Sequence, residues 1–403
     1  MAVLARSWGA KDEAGWALRQ VAGALACIAD VHVITPQGVH PRIREDGACT
    51  VHELASAPDP VLEARRDVLV EAIVSSRTST HDGTLQRPAS RELTASVRLD
   101  DTAARVVNEL VSGQLAVSWQ PGVDVLRELA PDRVVVADYR QAGVVAMLDR
   151  ACPAAPVIAV PFGMDPGAMA LSAFAPLFER AETAVVFTES EMRTVKDVPG
   201  NAVAHKVGLP MSANRSLLRE PNASLRDRQY VLVLSGERED SPELSGSLAR
   251  LLRARFARKG IAVAATDSFT VSLNGITERP EPVERGSDLV RLIAWARATV
   301  DLSPGPLFAR RCLESLLYAT PIVVPAHSRA REHAERGGGL WFEGPTDLAH
   351  CVEAMFDPAV SDSLGRRGRL YAERLYGSTD AFIDKVMSAT GFDATSVPRP
   401  GAK

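Results

Sequence analysis

Short β-branched runs alternate with longer helical stretches through nearly the whole chain, and this alternation restricts the possible folds more than any other feature. A parallel strand can be followed by its neighbour only after a crossover of a dozen or more residues, usually a helix, so the pattern predicts βαβ units around parallel sheets. In the first half the strand candidates are 31–35, 133–137, 156–160, 183–187 and the weaker 203–207. Helical spacing of Ala14, Ala17, Leu18, Val21 and Leu25 predicts a helix over 13–28, and Asp101 opens a second periodic stretch to about Ser112. Residues 80–97 have no clean period and many Thr, Ser and Arg, which reads as a mobile loop.

The polar stretch 212–228 reads as a linker, and the alternation then restarts. Strands are expected at 231–234, 261–265, 298–302 and 321–325, and helices at 243–258, 287–297, 307–318, 346–356 and 360–375, with Asp357-Pro358 as the break between the last two. A chain of 403 residues has material for two such units. The expected division is 1–211, 229–376, a helix over 377–390 and a disordered tail over 391–403.

Charge and cysteine content exclude several functions. Lys plus Arg number 46 against 50 Asp plus Glu, a formal charge of −4, so no global basic field is available to hold nucleic acid by counterion release. The five cysteines, at 27, 49, 152, 312 and 351, are scattered and never form a Cys-x-x-Cys pair. They suggest neither a disulfide framework nor a zinc site, and a reducing cytosol is the expected compartment. No apolar run approaches the ~20 residues that span a bilayer, so any membrane contact is expected to be peripheral. Arg42, Arg44, Arg65, Arg66, Arg77, Arg87 and Arg91 give the first half a basic tendency. That tendency suits either anionic headgroups or a solvated face balanced by intervening carboxylates.

One stretch carries a specific resemblance. The run Ser303-Pro304-Gly-Pro-Leu-Phe308-Ala-Arg-Arg-Cys-Leu-Glu314-Ser-Leu-Leu-Tyr-Ala-Thr320-Pro321-Ile-Val-Val-Pro is followed by Glu332, glycines 337–339, Leu340, Trp341 and the helix at Asp347-Leu348. In order and spacing it resembles the C-terminal domain of GT-B glycosyltransferases of the family-four type. Residues 13–36, 131–160 and 183–210 resemble the more generic N-terminal domain of the same proteins. The resemblance implies an α/β fold of two Rossmann-like domains facing a cleft, a last helix that returns to the first domain, and transfer of a sugar from a nucleotide diphosphate sugar. The apolar side of that helix would be Ala381, Phe382, Lys385 and Val386.

The family's functional positions carry over only in part. Of its two glutamates separated by seven residues, Glu314 matches the second, which holds the nucleotide ribose, while Pro306 stands where the first should be. The glycine ending the first strand of the second domain matches Gly236, but the phosphate-binding Arg and Lys that follow fall on Glu237 and Pro242. The N-terminal Gly-Gly turn falls on Gly9-Ala10-Lys11-Asp12, and the expected histidine falls near Pro161-Phe162. The resemblance therefore implies a donor site of Glu314, Arg310, Arg311, Gly9, Lys11 and Gly236 with no metal or cofactor, and retention of anomeric configuration.

Each of these residues has a plainer reading as well. Glu314 lies beside a buried face of Ala309, Cys312, Leu313, Leu316 and Leu317, where it either accepts from a ribose diol or pairs with Arg310 at i,i+4. Gly9 and Lys11 either approach an anion or precede a helix whose N-cap is Asp12. Asp138, Tyr139 and Arg140 follow a strand at its carboxyl end, where open α/β sheets bind ligands, so acceptor contact and helix capping by Asp138 both stand. Glycines 337–339 read as a turn into a strand, and His327 and His333 as loop or surface residues. Two functions follow: a glycosyltransferase acting on a glycan, lipid or small-molecule acceptor, or a non-catalytic GT-B scaffold that binds a partner protein or a sugar without transferring it.

Overall fold

The computed structural model describes residues 1–5, 8, 13–36, 40–55, 119–138, 144–162, 175–198, 200–211, 230–235, 242–256, 261–265, 269–273, 276–277, 286–302 and 309–391. The expected stretches at 80–97, 101–112, 212–228 and 392–403 lie outside them, as do Arg65, Arg66, Arg77, Arg87 and Arg91. The chain divides into two compact units, Met1–Leu209 with Asp380–Lys403, and Pro210–Thr379. No helix among the described residues is long and apolar enough to cross a membrane.

Unit 1 is built on an eight-stranded sheet ordered β3-β4-β2-β1-β5-β6-β7-β8. Its strands are β1 (Ala2–Ala5), β2 (Val31–Thr35), β3 (Arg42–Asp46), β4 (Cys49–Glu53), β5 (Val134–Ala137), β6 (Val157–Val160), β7 (Thr183–Val186) and β8 (Val203–Lys206). Every neighbouring pair is parallel except the hairpin β3–β4, which turns at Gly47 with φ +64°. The helices are α1 (Glu13–Leu25), α2 (Gln120–Leu129), α3 (Val145–Ala151), α4 (Ala175–Arg180) and α5 (Glu189–Asp197). Apolar residues of β1, β5 and β6 pack with Trp119, Leu126, Leu148 and Phe178 from the helices. Within the hairpin Arg44 is paired with Asp46 and Glu53, so this part of the basic tendency is internally neutralised.

Local chemistry sets the helix ends. Thr188 accepts from the N–H of Glu191, whose carboxylate accepts in return from the N–H groups of Thr188 and Phe187, a complete capping box. Glu191 is buried, so its carboxylate replaces water for two N–H groups that would otherwise be left unpaired.

Unit 2 carries a seven-stranded sheet ordered β12-β11-β10-β9-β13-β14-β15. Its strands are β9 (Val231–Ser235), β10 (Ile261–Ala265), β11 (Phe269–Leu273), β12 (Ile276–Thr277), β13 (Ala298–Asp301), β14 (Ile322–Pro325) and β15 (Gly339–Phe342). The pairs β10–β9, β9–β13, β13–β14 and β14–β15 are parallel, and β11 and β12 add an antiparallel edge beside β10. The helices are α6 (Pro242–Phe256), α7 (Gly286–Trp295), α8 (Arg310–Leu317), α9 (Pro345–Met355) and α10 (Pro358–Tyr376).

The glycine run is not a simple turn. A short helical turn, Arg331–His333, passes into a π-helix, Ala334–Gly338, and only Gly339 begins β15. A methyl at Gly338 would lie 1.9 Å from the Leu364 carbonyl oxygen and 2.8 Å from Cα of Gly368, so the π-turn and α10 touch backbone to backbone. His333 is likewise no surface residue: it is buried, with Nδ1 2.9 Å from the Tyr371 hydroxyl and its ring edge-on to Tyr376.

The last helix, α11 (Thr379–Thr390), buries Phe382, Ile383 and Val386. Within unit 1, Lys385 Nζ donates to the Val207 carbonyl at 3.3 Å, and the Thr183 hydroxyl donates to the Ala389 carbonyl at 3.2 Å.

Candidate functional site

Helix α8 follows the carboxyl end of β13, the edge at which open α/β sheets present ligand-binding loops. It packs by the face read from its sequence: Ala309, Cys312, Leu313, Leu316 and Leu317 are all buried. The first intrahelical hydrogen bond runs from the Leu313 N–H to the Ala309 carbonyl at 3.0 Å, so the N–H groups of residues 310–312 belong to the first turn and point out of the helix N-terminus. That turn holds no acidic residue and begins with two arginines, and the positive end of the helix dipole adds to them. Ala309 enters the helix at φ +51°, a left-handed conformation an alanine adopts only where its surroundings enforce it.

Glu314 is more enclosed than a flank position suggests. Arg310 Nε donates to one carboxylate oxygen at 2.8 Å and Arg311 Nη1 donates to the other at 2.7 Å. The glutamate side chain is 11% exposed and the two arginines 28% and 32%. The i,i+4 pair expected from spacing is present, and an i,i+3 pair that spacing did not single out completes a clamp. With two guanidiniums and one carboxylate the cluster carries a net positive charge on the helix N-terminus, a composition suited to an anion.

Behind the clamp the helix is tied to β13. The Cys312 thiol donates to a buried Asp301 carboxylate at 3.4 Å, and the Ser315 hydroxyl donates to Thr299 Oγ1 at 3.0 Å. Asp301 was not singled out from the sequence. The available signal was a carboxylate at the carboxyl end of an apolar strand, facing a cysteine on the buried face of the next helix. Among the described residues no group of three or more His, Cys, Asp or Glu is placed to hold a metal ion.

The other candidate positions are only partly described. Gly9, Lys11, Gly236, Tyr139 and Arg140 lie outside the described residues, as do Asp12, Pro306 and Glu237. Asp138 directly follows β5, is buried, and takes up φ +85° while its N–H donates to the Val160 carbonyl at 2.8 Å. Helix α3 begins at Val145 with Val144 at its N-cap, and residues 139–143, which connect it to Asp138, lie outside the described residues. Near the carboxyl end of β6, Phe162 has φ +42° and stacks on Phe187 with ring centroids 5.8 Å apart. A buried aromatic pair therefore stands where the resemblance expected a histidine. Among the described residues, three of the five non-glycine residues at positive φ, Asp138, Phe162 and Ala309, thus lie in segments leaving the carboxyl ends of parallel strands.

No protein-family model matches this chain, and no curated protein matches it by sequence. Solved structures do match it, along almost its full length. Sucrose-phosphate synthase from Thermosynechococcus elongatus is 12% identical with a TM-score of 0.59, covering 98% of this chain and 99% of that one. The α,α-trehalose-phosphate synthase (UDP-forming) from Burkholderia xenovorans, solved in complex with glucose-6-phosphate, is 14% identical with a TM-score of 0.61, covering 97% and 99%. HepE from Anabaena, solved in complex with UDP and glucose, is 12% identical with a TM-score of 0.57, covering 97% and 99%. At these identities the likeness shows the fold.

Proposed function

We propose, for a chain with the GT-B fold of two Rossmann-like units, that it transfers a sugar from a nucleoside diphosphate sugar to an acceptor hydroxyl. The carrying observation is the Arg310–Glu314–Arg311 cluster at the N-terminus of α8, positively charged overall and set at the carboxyl end of β13. Support comes from the fold shared with HepE, whose solved complexes contain UDP with glucose and UDP-glucose. In this reading Arg310, Arg311 and the first-turn N–H groups of α8 meet the diphosphate, and Glu314 accepts hydrogen bonds from the ribose diol. The bond from the anomeric carbon to the diphosphate oxygen breaks as the bond to the acceptor oxygen forms, and the acceptor proton leaves with the departing diphosphate. Preorganised cations at that oxygen stabilise the charge that develops on it, the role a metal plays elsewhere. Gly9, Lys11 and Gly236 are assigned to the same donor by resemblance. Asp138, with Tyr139 and Arg140, is assigned to the acceptor because it stands at the carboxyl edge of the unit 1 sheet.

The test is to incubate the full chain with UDP-glucose, GDP-mannose and related donors and to follow both release of the nucleoside diphosphate and thermal stabilisation by UDP and GDP. Release of the diphosphate from one donor, with a rise in melting temperature from the matching nucleotide, is the expected result. Absence of binding by every nucleotide together with absence of release from every donor would overturn the assignment.

A further inference from the structure

Resting on that reading of the site, we infer that the Arg310–Glu314–Arg311 cluster is a latch that the donor's own diphosphate opens. Each oxygen of the Glu314 carboxylate already accepts a charge-assisted hydrogen bond, at 2.8 Å from Arg310 and 2.7 Å from Arg311. A ribose diol arriving alone competes with two guanidiniums for that carboxylate, and neutral hydroxyls are the weaker donors. A diphosphate arriving alone is a better partner for the arginines than a single carboxylate is, because it offers more oxygens and more charge in a geometry guanidinium matches. Taking them, however, strips the donors from a glutamate whose side chain is 11% exposed, and a carboxylate enclosed to that degree without partners is costly.

The two halves of a nucleoside diphosphate solve each other's problem. The diphosphate draws Arg310 and Arg311 off the carboxylate, and the ribose hydroxyls replace them as donors to it. No proton need move and no covalent bond changes, since one set of hydrogen bonds is exchanged for another. The latch selects an intact nucleoside diphosphate over a free nucleoside, inorganic phosphate or a sugar phosphate. It also requires that the halves strengthen each other reciprocally. The Arg311 side chain is bonded to Glu314 and is 32% exposed, while the Arg311 carbonyl holds the Ser315 hydroxyl at 2.8 Å, so the guanidinium can swing to an anion with the backbone left in place.

The test uses the full chain and titration calorimetry with separate halves. Inorganic pyrophosphate and uridine are titrated alone and each in the presence of the other, with guanosine in parallel and orthophosphate as a further anion. Saturating pyrophosphate should tighten the nucleoside about tenfold, and the nucleoside should tighten pyrophosphate by the same factor. Glu314→Gln should bind pyrophosphate alone about tenfold more tightly, because the arginines no longer have a competing anion, and the coupling to nucleoside should vanish. Glu335→Gln controls for lost negative charge, since it takes one carboxylate from a separate exposed pair with Arg331. Should Glu314→Gln fail to fold, Arg311→Gln carries the test through loss of coupling. Independent binding of the halves, or an equal gain in Glu314→Gln and Glu335→Gln, would overturn the latch while UDP or GDP binding leaves the proposed function standing. Failure of every nucleotide and half to bind would overturn both.

Discussion

Replacing Gly338 with alanine tests whether the π-turn and α10 are held by direct backbone contact. In an open helical position the exchange gains about 0.5–1 kcal/mol, because alanine loses less backbone freedom on folding. At Gly338 the added methyl would sit 1.9 Å from the Leu364 carbonyl oxygen and 2.6 Å from the Gly368 nitrogen. A carbon and a carbonyl oxygen rest about 3.3 Å apart, so the two segments would have to separate by about 1.4 Å. Both obstacles are backbone, and no rotamer change relieves them. Overpacking costs about 1–3 kcal/mol where side chains can adjust, so the expected loss is at least about 3 kcal/mol, on the order of 10 °C in the unit 2 transition. Scanning calorimetry of the full chain measures it. Gly23→Ala, on α1 with nothing within 4 Å of the added carbon, should shift stability in the opposite direction. Gly368→Ala first meets the tip of Leu316 at 2.6 Å and should fall between them. A Gly338→Ala protein unfolding at or above the wild-type temperature would refute the contact.

Two further outcomes follow from backbone geometry and titration. Ala319 ends α8 at φ +55°, with its N–H bonded to the Leu316 carbonyl and the Thr320 N–H to the Ser315 carbonyl, a Schellman closure that favours glycine. Ala319→Gly should therefore stabilise unit 2 by about 0.5–1 kcal/mol, read as a higher calorimetric midpoint. Burial, followed by the charge of His32, holds the His52 imidazole below its ordinary value of 6.5, while its Nε2 lies 3.0 Å from Nδ1 of His32. Below about pH 6.5 the unfolded chain takes up this proton more readily than the folded one, so stability should fall with pH through that window. His52→Gln should flatten the fall in urea midpoint between pH 7.5 and 5.5.

The parallel strands and their helices were legible wherever β-branched residues ran together, as at 231–234 and 321–325, because such strands are covered on both faces and need no alternation. Strand β1 was missed although it lies between β2 and β5, since Ala-Val-Leu-Ala has little intrinsic preference for a strand and takes its conformation from its neighbours. The hairpin β3–β4 is obscured by its charges: Arg42 and Arg44 read as part of a basic or solvated face, yet they lie on an edge strand. The buried face of α8 was readable from its period, but the enclosure of Glu314 was not. Spacing shows that an arginine can reach a carboxylate and does not show that a second one will take the other oxygen. The glycine run was misread because a close approach between segments distant in sequence leaves no local trace beyond the glycines themselves.

The return of α11 to unit 1 has a consequence for how the chain is made. Unit 2 is a single continuous stretch, whereas unit 1 is divided, with Asp380–Lys403 supplied only after the whole of Pro210–Thr379. On the ribosome, residues 1–209 therefore emerge before unit 2 and yet wait until after it for completion. Until α11 is synthesised, the Val207 carbonyl lacks the ammonium of Lys385 and the Thr183 hydroxyl lacks the Ala389 carbonyl. Domains generally fold in order of emergence. Here a segment made after unit 2 completes a unit begun before it, so unit 2 can be complete while unit 1 is still unfinished.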